Sequence, residues 1–200
     1  NLVRGGNGGS GRIDGWVFST SGVWTTLLDS SGTISSPATA NNVVAVASYC
    51  SKRTWTANDN ANYNDTACTA GLLGDSSTFS NHGPTRDGRM KPDVSAPGQR
   101  IAAALSADQS PGEGASTTAR DGRHKLMNGT SMATPVVAGA LVRSIQASPT
   151  LTAAAARSAL QAQARTDAKV TAHGAVPNYV FGYGKLDVLG LRQDRDGHRR

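Results

Sequence analysis

The chain is poor in several things, and each shortage removes a class of protein. Among 200 residues there is a single glutamate, Glu113, beside thirteen aspartates, with only three phenylalanines and two cysteines. No uninterrupted apolar run approaches the roughly 18 residues that a membrane-crossing helix needs, so no membrane span is expected. There is no Cys-x-x-Cys pair, no Cys/His set at ligand spacing, and no acidic loop with the spacing of a calcium site. No metal and no cofactor is therefore expected. The opening Asn1-Leu2-Val3-Arg4 has no starting Met and none of the charged and apolar regions of a leader peptide. The expectation is a piece of a longer protein.

What is present describes a folded, turn-rich domain. Twenty-three glycines, 38% hydrophobic residues and 17% charged residues fit one globular domain, or a large part of one. The net charge of +6 comes from fifteen Arg and five Lys. These cations are scattered, and their one local cluster, at residues 193–200, also contains Asp194 and Asp196. No basic stripe interleaved with aromatics exists, so a nucleic-acid partner is not expected. Cys50 and Cys68 permit one disulfide, closing a polar loop over residues 51–67 and contributing about 3 kcal/mol by loop-closure entropy. The other reading is two unpaired, half-buried thiols. The Asn-, Asp- and Thr-rich loop favours the bridge, because it has an extracellular composition.

The pattern along the chain alternates short strands and helices. Residues 13–18 and 23–28, rich in Trp, Val, Leu and Thr, predict an N-terminal accessory β hairpin. The β-branched run at 42–47 predicts a strand buried on both faces, as in a parallel sheet. Residues 92–96 and 101–105 predict two more strands around the Pro97-Gly98 turn, and 106–124 predicts a mobile loop. Residues 132–146 carry only Arg143 as a formal charge and predict a helix buried nearly all round, with Pro135 in its first turn. Residues 152–164 predict a second, Ala-rich helix. Strands alternating with helices imply an α/β layer fold.

The string that points to chemistry is Asn128-Gly129-Thr130-Ser131-Met132-Ala133-Thr134-Pro135. A serine at the mouth of a helix has unsatisfied backbone donors beside it and the positive end of the helix dipole behind it. Gly129 leaves room for a ligand carbonyl. That combination suits attack on a carbonyl and stabilisation of the oxyanion that follows; the plainer reading is a helix cap. The Gly-x-Ser-x-Gly elbow of other serine hydrolases is not met, since Ala133 stands at its second glycine.

The string Gly129-Thr130-Ser131-Met132-Ala133-Thr134-Pro135 resembles the nucleophile motif of the subtilisin-like serine proteases, the subtilases of the peptidase S8 family. In the same order along the chain, three further segments resemble that family: 79–85 with 91–98 (Phe-Ser-Asn-His-Gly-Pro-Thr, then Lys-Pro-Asp-Val-Ser-Ala-Pro-Gly), 36–46, and Gly182-Tyr183-Gly184-Lys185-Leu186-Asp187. The resemblance implies peptide-bond hydrolysis through an acyl-enzyme, with Ser131 as nucleophile and its N–H in the oxyanion hole. Gly129 and Thr130 would border the oxyanion and the substrate. Nothing in the pattern implies a cofactor.

Other parts of the family pattern are missing. The Asp-Thr/Ser-Gly and His-Gly-Thr-His motifs do not occur. Asp29-Ser30-Ser31 and Asp75-Ser76-Ser77 lack the glycine, and His82, His124, His173 and His198 stand in the wrong context or chain order for the base. They read as surface or turn residues. Asn7, among Gly5-Gly6 and Gly8-Gly9, only faintly resembles the family's oxyanion Asn. The resemblance therefore implies a partial doubly wound parallel sheet of the subtilisin-like fold with an accessory hairpin. Its expected divisions are residues 1–35 as accessory segment, 36–191 as the C-terminal part of a catalytic domain, and 192–200 as a polar tail. The expected partners are a protein or peptide substrate and the remainder of the same domain, carrying Asp, His and the oxyanion Asn, in a secreted serine endopeptidase. The alternative is a non-catalytic module that keeps the fold as a binding scaffold.

Overall fold

The computed structural model describes residues 29–108 and 114–191. The expected hairpin at 13–28 and the tail at 192–200 lie outside the described residues. Strand β1 (Val46–Tyr49) pairs in parallel with β4 (Val94–Pro97), Val46 opposite Val94 and Tyr49 opposite Pro97. A parallel bridge from Ser95 to Lys185 adds a third rung on the other side of β4, closed by the bonds Ser95 N–H to Gly184 O and Leu186 N–H to Ser95 O. Two antiparallel pairs stand apart from this sheet. β2 (Thr54–Thr56) pairs with β3 (Asn62–Asn64), and β5 (Ile101–Ala104) with β6 (His124–Met127). Helices α1 (Thr130–Ala147), α2 (Ala153–Ala162) and the short α3 (Ala168–Thr171) complete an α/β fold.

The core forms where α1 lies against β1 and β4. Ala133, Val137 and Ala140 of α1, spaced four and three residues apart, meet Val94 and Ala96 of β4, with Leu160 of α2 and Leu191 closing the cluster. Small residues on both sides let helix and sheet approach closely. The expectation of a helix buried all round is overturned: Val142 is 63% and Ile145 45% exposed. One face of α1 meets the sheet, and no described element covers the other. Pro135 is also one turn later than expected, the sixth residue of the helix rather than part of its first turn. Its missing N–H leaves the Ser131 carbonyl without the usual i+4 donor.

Other expectations shift in detail. The strand expected at 42–47 begins four residues later, because residues 43–45 serve as hydrogen-bond partners of the segment preceding β4. The Val43 carbonyl accepts from Lys91 Nζ, and the Ala45 amide donates to Asp93. The loop expected at 106–124 is structured over its described part. It holds a 3-10 turn at Ala115–Thr117 and bridges from Thr118 to Lys125 and from Ala119 to Ala57. The polar loop at 51–67 is a hairpin, and the Cys50–Cys68 disulfide closes it with both cysteines buried.

Asp93 holds the layers together. Its Oδ2 accepts from Lys91 Nζ at 2.7 Å and from the Ala45 amide at 2.8 Å, and its Oδ1 from Arg157 Nε at 2.7 Å and Gln161 Nε2 at 2.9 Å. Lys91 and Asp93 are each 1% exposed. Arg157 and Gln161 stand one turn apart on α2, so one carboxylate binds that helix to the sheet. Removing one partner of a buried pair strands the other charge in the interior, at about 3–5 kcal/mol. Asp93→Ala is expected to lower unfolding stability by that amount, measured as a fall in the urea midpoint. Arg157→Ala, on a partly exposed side chain, should cost less.

Candidate active site

Three segments converge on the Asn128-Gly129-Thr130-Ser131 string. β6 delivers it and ends at Met127, and α1 begins at Thr130. The turn after β4 lies beneath. Gly129 N–H donates to the Gly98 carbonyl at 2.8 Å, and the Arg100 amide donates to Asn128 Oδ1 at 2.8 Å. Gly98 is required by proximity, since a Cβ there would sit 2.2 Å from Ser48 Oγ and 2.7 Å from the Gly129 carbonyl. Gly129 is required by conformation. It has φ 149°, a backbone conformation that residues with a side chain rarely adopt.

Ser131 is exposed, in the first turn of α1. No side chain caps this helix: Gly129 is the cap residue, and its carbonyl takes the Met132 and Ala133 amides. The amides of Thr130 and Ser131 have no acceptor among the described residues. They face outward at the positive end of an 18-residue helix, an arrangement that favours an anionic oxygen. Thr130 also borders a cavity of about 200 Å³ with Val46, Pro37, Asn81 and Pro92. The plain cap reading of Ser131 does not hold, since its side chain accepts from no helix amide.

The described histidines lie elsewhere. His124 Nδ1 pairs with Asp121 at 2.6 Å at the exposed start of β6. His173 Nε2 pairs with Asp75 Oδ1 at 2.7 Å. His82 and His173 line a separate cavity of about 490 Å³ with Asn178, Tyr179 and Met90, to which Ser131 does not contribute. Burial lowers the His82 pKa, and the nearby His173 lowers it further. No histidine or aspartate among the described residues is hydrogen-bonded to Ser131. Nor do the described residues hold a group of three His, Cys, Asp or Glu side chains placed to bind a metal, and none of their helices is long and apolar enough to cross a membrane.

Beside the 98–100 turn stands a cluster that the sequence reading missed. Asp65, buried at the end of the β2–β3 hairpin, accepts from Gln99 Nε2 at 3.1 Å and from Arg100 Nε at 2.7 Å through Oδ2, and from the Ala67 amide through Oδ1. The Arg100 guanidinium also lies 4.5 Å from the centre of the Trp55 ring. Burial alone would raise the Asp65 pKa, but these hydrogen bonds and the Arg100 charge outweigh it and hold the carboxyl below its ordinary value. A signal for the hairpin existed: Thr54-Trp55-Thr56 and Asn62-Tyr63-Asn64 flank the turn-forming Asn58-Asp59-Asn60.

With this geometry in place, comparison with known proteins supplies the class. The model of the Subtilase family matches residues 6–184, and the chain belongs to that family. It is 41% identical over 93 residues to the subtilisin-like protease SBT3.9 of Arabidopsis thaliana, covering 45% of this chain and 11% of that protein. It is 32% identical over 122 residues to the serine protease AprX of Bacillus subtilis, covering 61% of this chain and 24% of that one. Among solved structures the CspB protease of Clostridium perfringens shares the fold with a TM-score of 0.56 and 23% identity, over 83% of this chain and 29% of that chain. The chain thus spans at most about a quarter of the length of these curated relatives.

Two outcomes are expected from this geometry. Gly98→Ala should push the 128–130 backbone off its seat and destabilise the fold, seen as a lower Tm, because both of the closest atoms belong to packed neighbours. The carboxyls of Asp65, Asp75 and Asp167 are all held below their ordinary values by donors that outweigh burial. Their contribution is complete above the unfolded-state value of about 3.9 and is lost as pH falls through the lower folded-state values. Acid titration of the unfolding free energy should show that decline below about pH 4, and Asp65→Asn should make it shallower.

Proposed function

We propose that the protein carrying this chain is a secreted serine endopeptidase in which Ser131 is the nucleophile and Gly129 and Thr130 border the oxyanion and the substrate. The observation that carries this reading is the exposed Ser131 on the first turn of α1, beside two backbone donors without acceptors among the described residues. Ser131 Oγ attacks the scissile carbonyl carbon as a base removes its proton, and the carbonyl oxygen becomes an oxyanion. That oxygen accepts from the Ser131 N–H, where the helix end adds favourable potential. The C–N bond then breaks, the amine leaves with the proton, and water hydrolyses the ester left on Ser131.

No described histidine serves as the base, so the reading assigns it, with its orienting Asp and the oxyanion Asn, to the remainder of the domain. The bare outer face of α1, with Val142 and Ile145 exposed, gives that remainder an apolar surface to cover. The buried Cys50–Cys68 disulfide supports an oxidising compartment. A non-catalytic scaffold is the competing reading, favoured only by the absence of a base beside Ser131 among the described residues.

A fluorophosphonate probe applied to the complete parent protein separates the two. Labelling at Ser131, lost in Ser131→Ala together with about 10⁶-fold of kcat (the loss that subtilisin itself shows), is the expected result. A folded parent that takes no label would establish the scaffold reading.

A further inference from the structure

The 128–131 string rests on a turn whose backbone is itself under constraint. Arg100 has φ 54°, a left-handed conformation that a residue with a Cβ adopts only when its surroundings hold it there. In that conformation its N–H points at Asn128 Oδ1. The chain on either side of it is tied nearby as well: two residues earlier the Gly98 carbonyl takes the Gly129 amide, and the next residue, Ile101, pairs with Met127, which immediately precedes the string.

What holds Arg100 is the β2–β3 hairpin. Asp65 Oδ2 grips Arg100 Nε, and the guanidinium is packed on Trp55. Gln99, fully buried, spends its amide on the same Asp65 oxygen, while its own Oε1 has no partner among the described residues. A buried acceptor left unpaired costs free energy, and the bond to Asp65 is the one hydrogen bond that offsets burial of the Gln99 side chain among the described residues. The hairpin end is fixed in turn. The Asp65 amide donates to the Arg53 carbonyl, Ser51 Oγ donates to the Gln99 carbonyl, and the disulfide joins Cys68, three residues past Asp65, to Cys50 at the end of β1.

We propose that Asp65 is a positioning residue for Ser131, acting through Arg100 and Asn128, so that the disulfide-closed hairpin sets the placement of the nucleophile. The inference rests on the reading of Ser131 as nucleophile. Without the carboxylate, Arg100 relaxes toward negative φ and its N–H turns away from Asn128. The string then loses one of the two bonds that seat it, and the Ser131 hydroxyl and N–H no longer hold one position relative to a bound carbonyl. Misplacement of a reacting group acts on the chemical step more than on substrate binding.

The test uses the parent protein and the rate of fluorophosphonate labelling at Ser131, with kcat, KM and Tm measured beside it. Asp65→Asn is expected to slow labelling and kcat by about tenfold to a hundredfold with KM nearly unchanged. A wild-type labelling rate in the folded Asp65→Asn protein would overturn the proposal. So would a rate that falls only in step with the folded fraction. Should Asp65→Asn fail to fold, Arg100 decides. Glycine takes φ 54° freely and alanine does not, so Arg100→Gly should label faster than Arg100→Ala although both lack the guanidinium. Equal rates would overturn the proposal. If the wild-type parent takes no label at Ser131, the nucleophile reading fails instead, a result distinct from any ordering among these variants.

Discussion

A buried carboxylate, Asp93, is the constraint from which the rest of the architecture follows. It sits at the entrance to β4 and accepts hydrogen bonds from Lys91 in the segment leading into that strand, from the amide of Ala45, and from α2. An aspartate with so little water around it is tolerable only when its lone pairs are filled by nearby donors. Lys91, Ala45, Arg157 and Gln161 meet that demand from three directions. Each donor is therefore fixed relative to the others, and the path of β4 out of this centre is fixed with them. Five residues later that path ends at Gly98, where the backbone meets Gly129 with no room for a Cβ. A continuous extended segment thus runs from the ionic centre of the fold to the seat of Ser131, and its geometry is set at the buried end.

The site end of β4 is held by different chemistry. Close approach at Gly98 sets how near the 128–131 string lies, but it does not set its orientation. Orientation comes from the Arg100 amide and from the β5–β6 pairing, in which Ile101 stands opposite Met127. Strand pairing tolerates rotation at its ends, whereas an ion pair buried against an aromatic ring tolerates little. The β2–β3 hairpin, an excursion between β1 and β4, supplies both the carboxylate and the ring. An element outside the parallel sheet thereby reaches, through Arg100, the segment that leads into the N-terminus of α1.

Much of this was legible in the amino acids, and the rest was not for identifiable reasons. β4 and β5 were legible because Pro97-Gly98 separates two short apolar runs, and α2 because its cap, Thr152, precedes an uninterrupted helix-forming segment. The Gly129-Thr130-Ser131 string was legible because a glycine, a helix start and a serine coincide. The start of β1 was misplaced because residues 43–45 have strand composition yet spend their polar groups on Lys91 and Asp93. The hairpin and β6 were missed because three or four residues, such as His124-Lys125-Leu126-Met127, are too few to show a period. The Asp65–Gln99–Arg100 cluster had no local signal, since its members are 34 and 35 residues apart and only the fold brings them together.

The outer face of α1 shows how a sequence can describe more than the structure around it. Its composition is that of a helix with apolar neighbours on every side, and the sheet supplies them on one side only: Ala133, Val137 and Ala140 are covered while Val142 and Ile145 stand in water. Leaving two β-branched side chains about half exposed forgoes about 1–1.5 kcal/mol each relative to full burial. A helix whose only role was to cap this sheet would carry polar residues there. The same helix presents Ser131 with open donors and, among the described residues, no base beside it. Both deficits lie on α1, one at its outer face and one at its N-terminus, and one further set of elements packed along this helix would satisfy both. Among the described residues, the apolar patch and the unassisted hydroxyl are thus two features of one uncovered surface of α1.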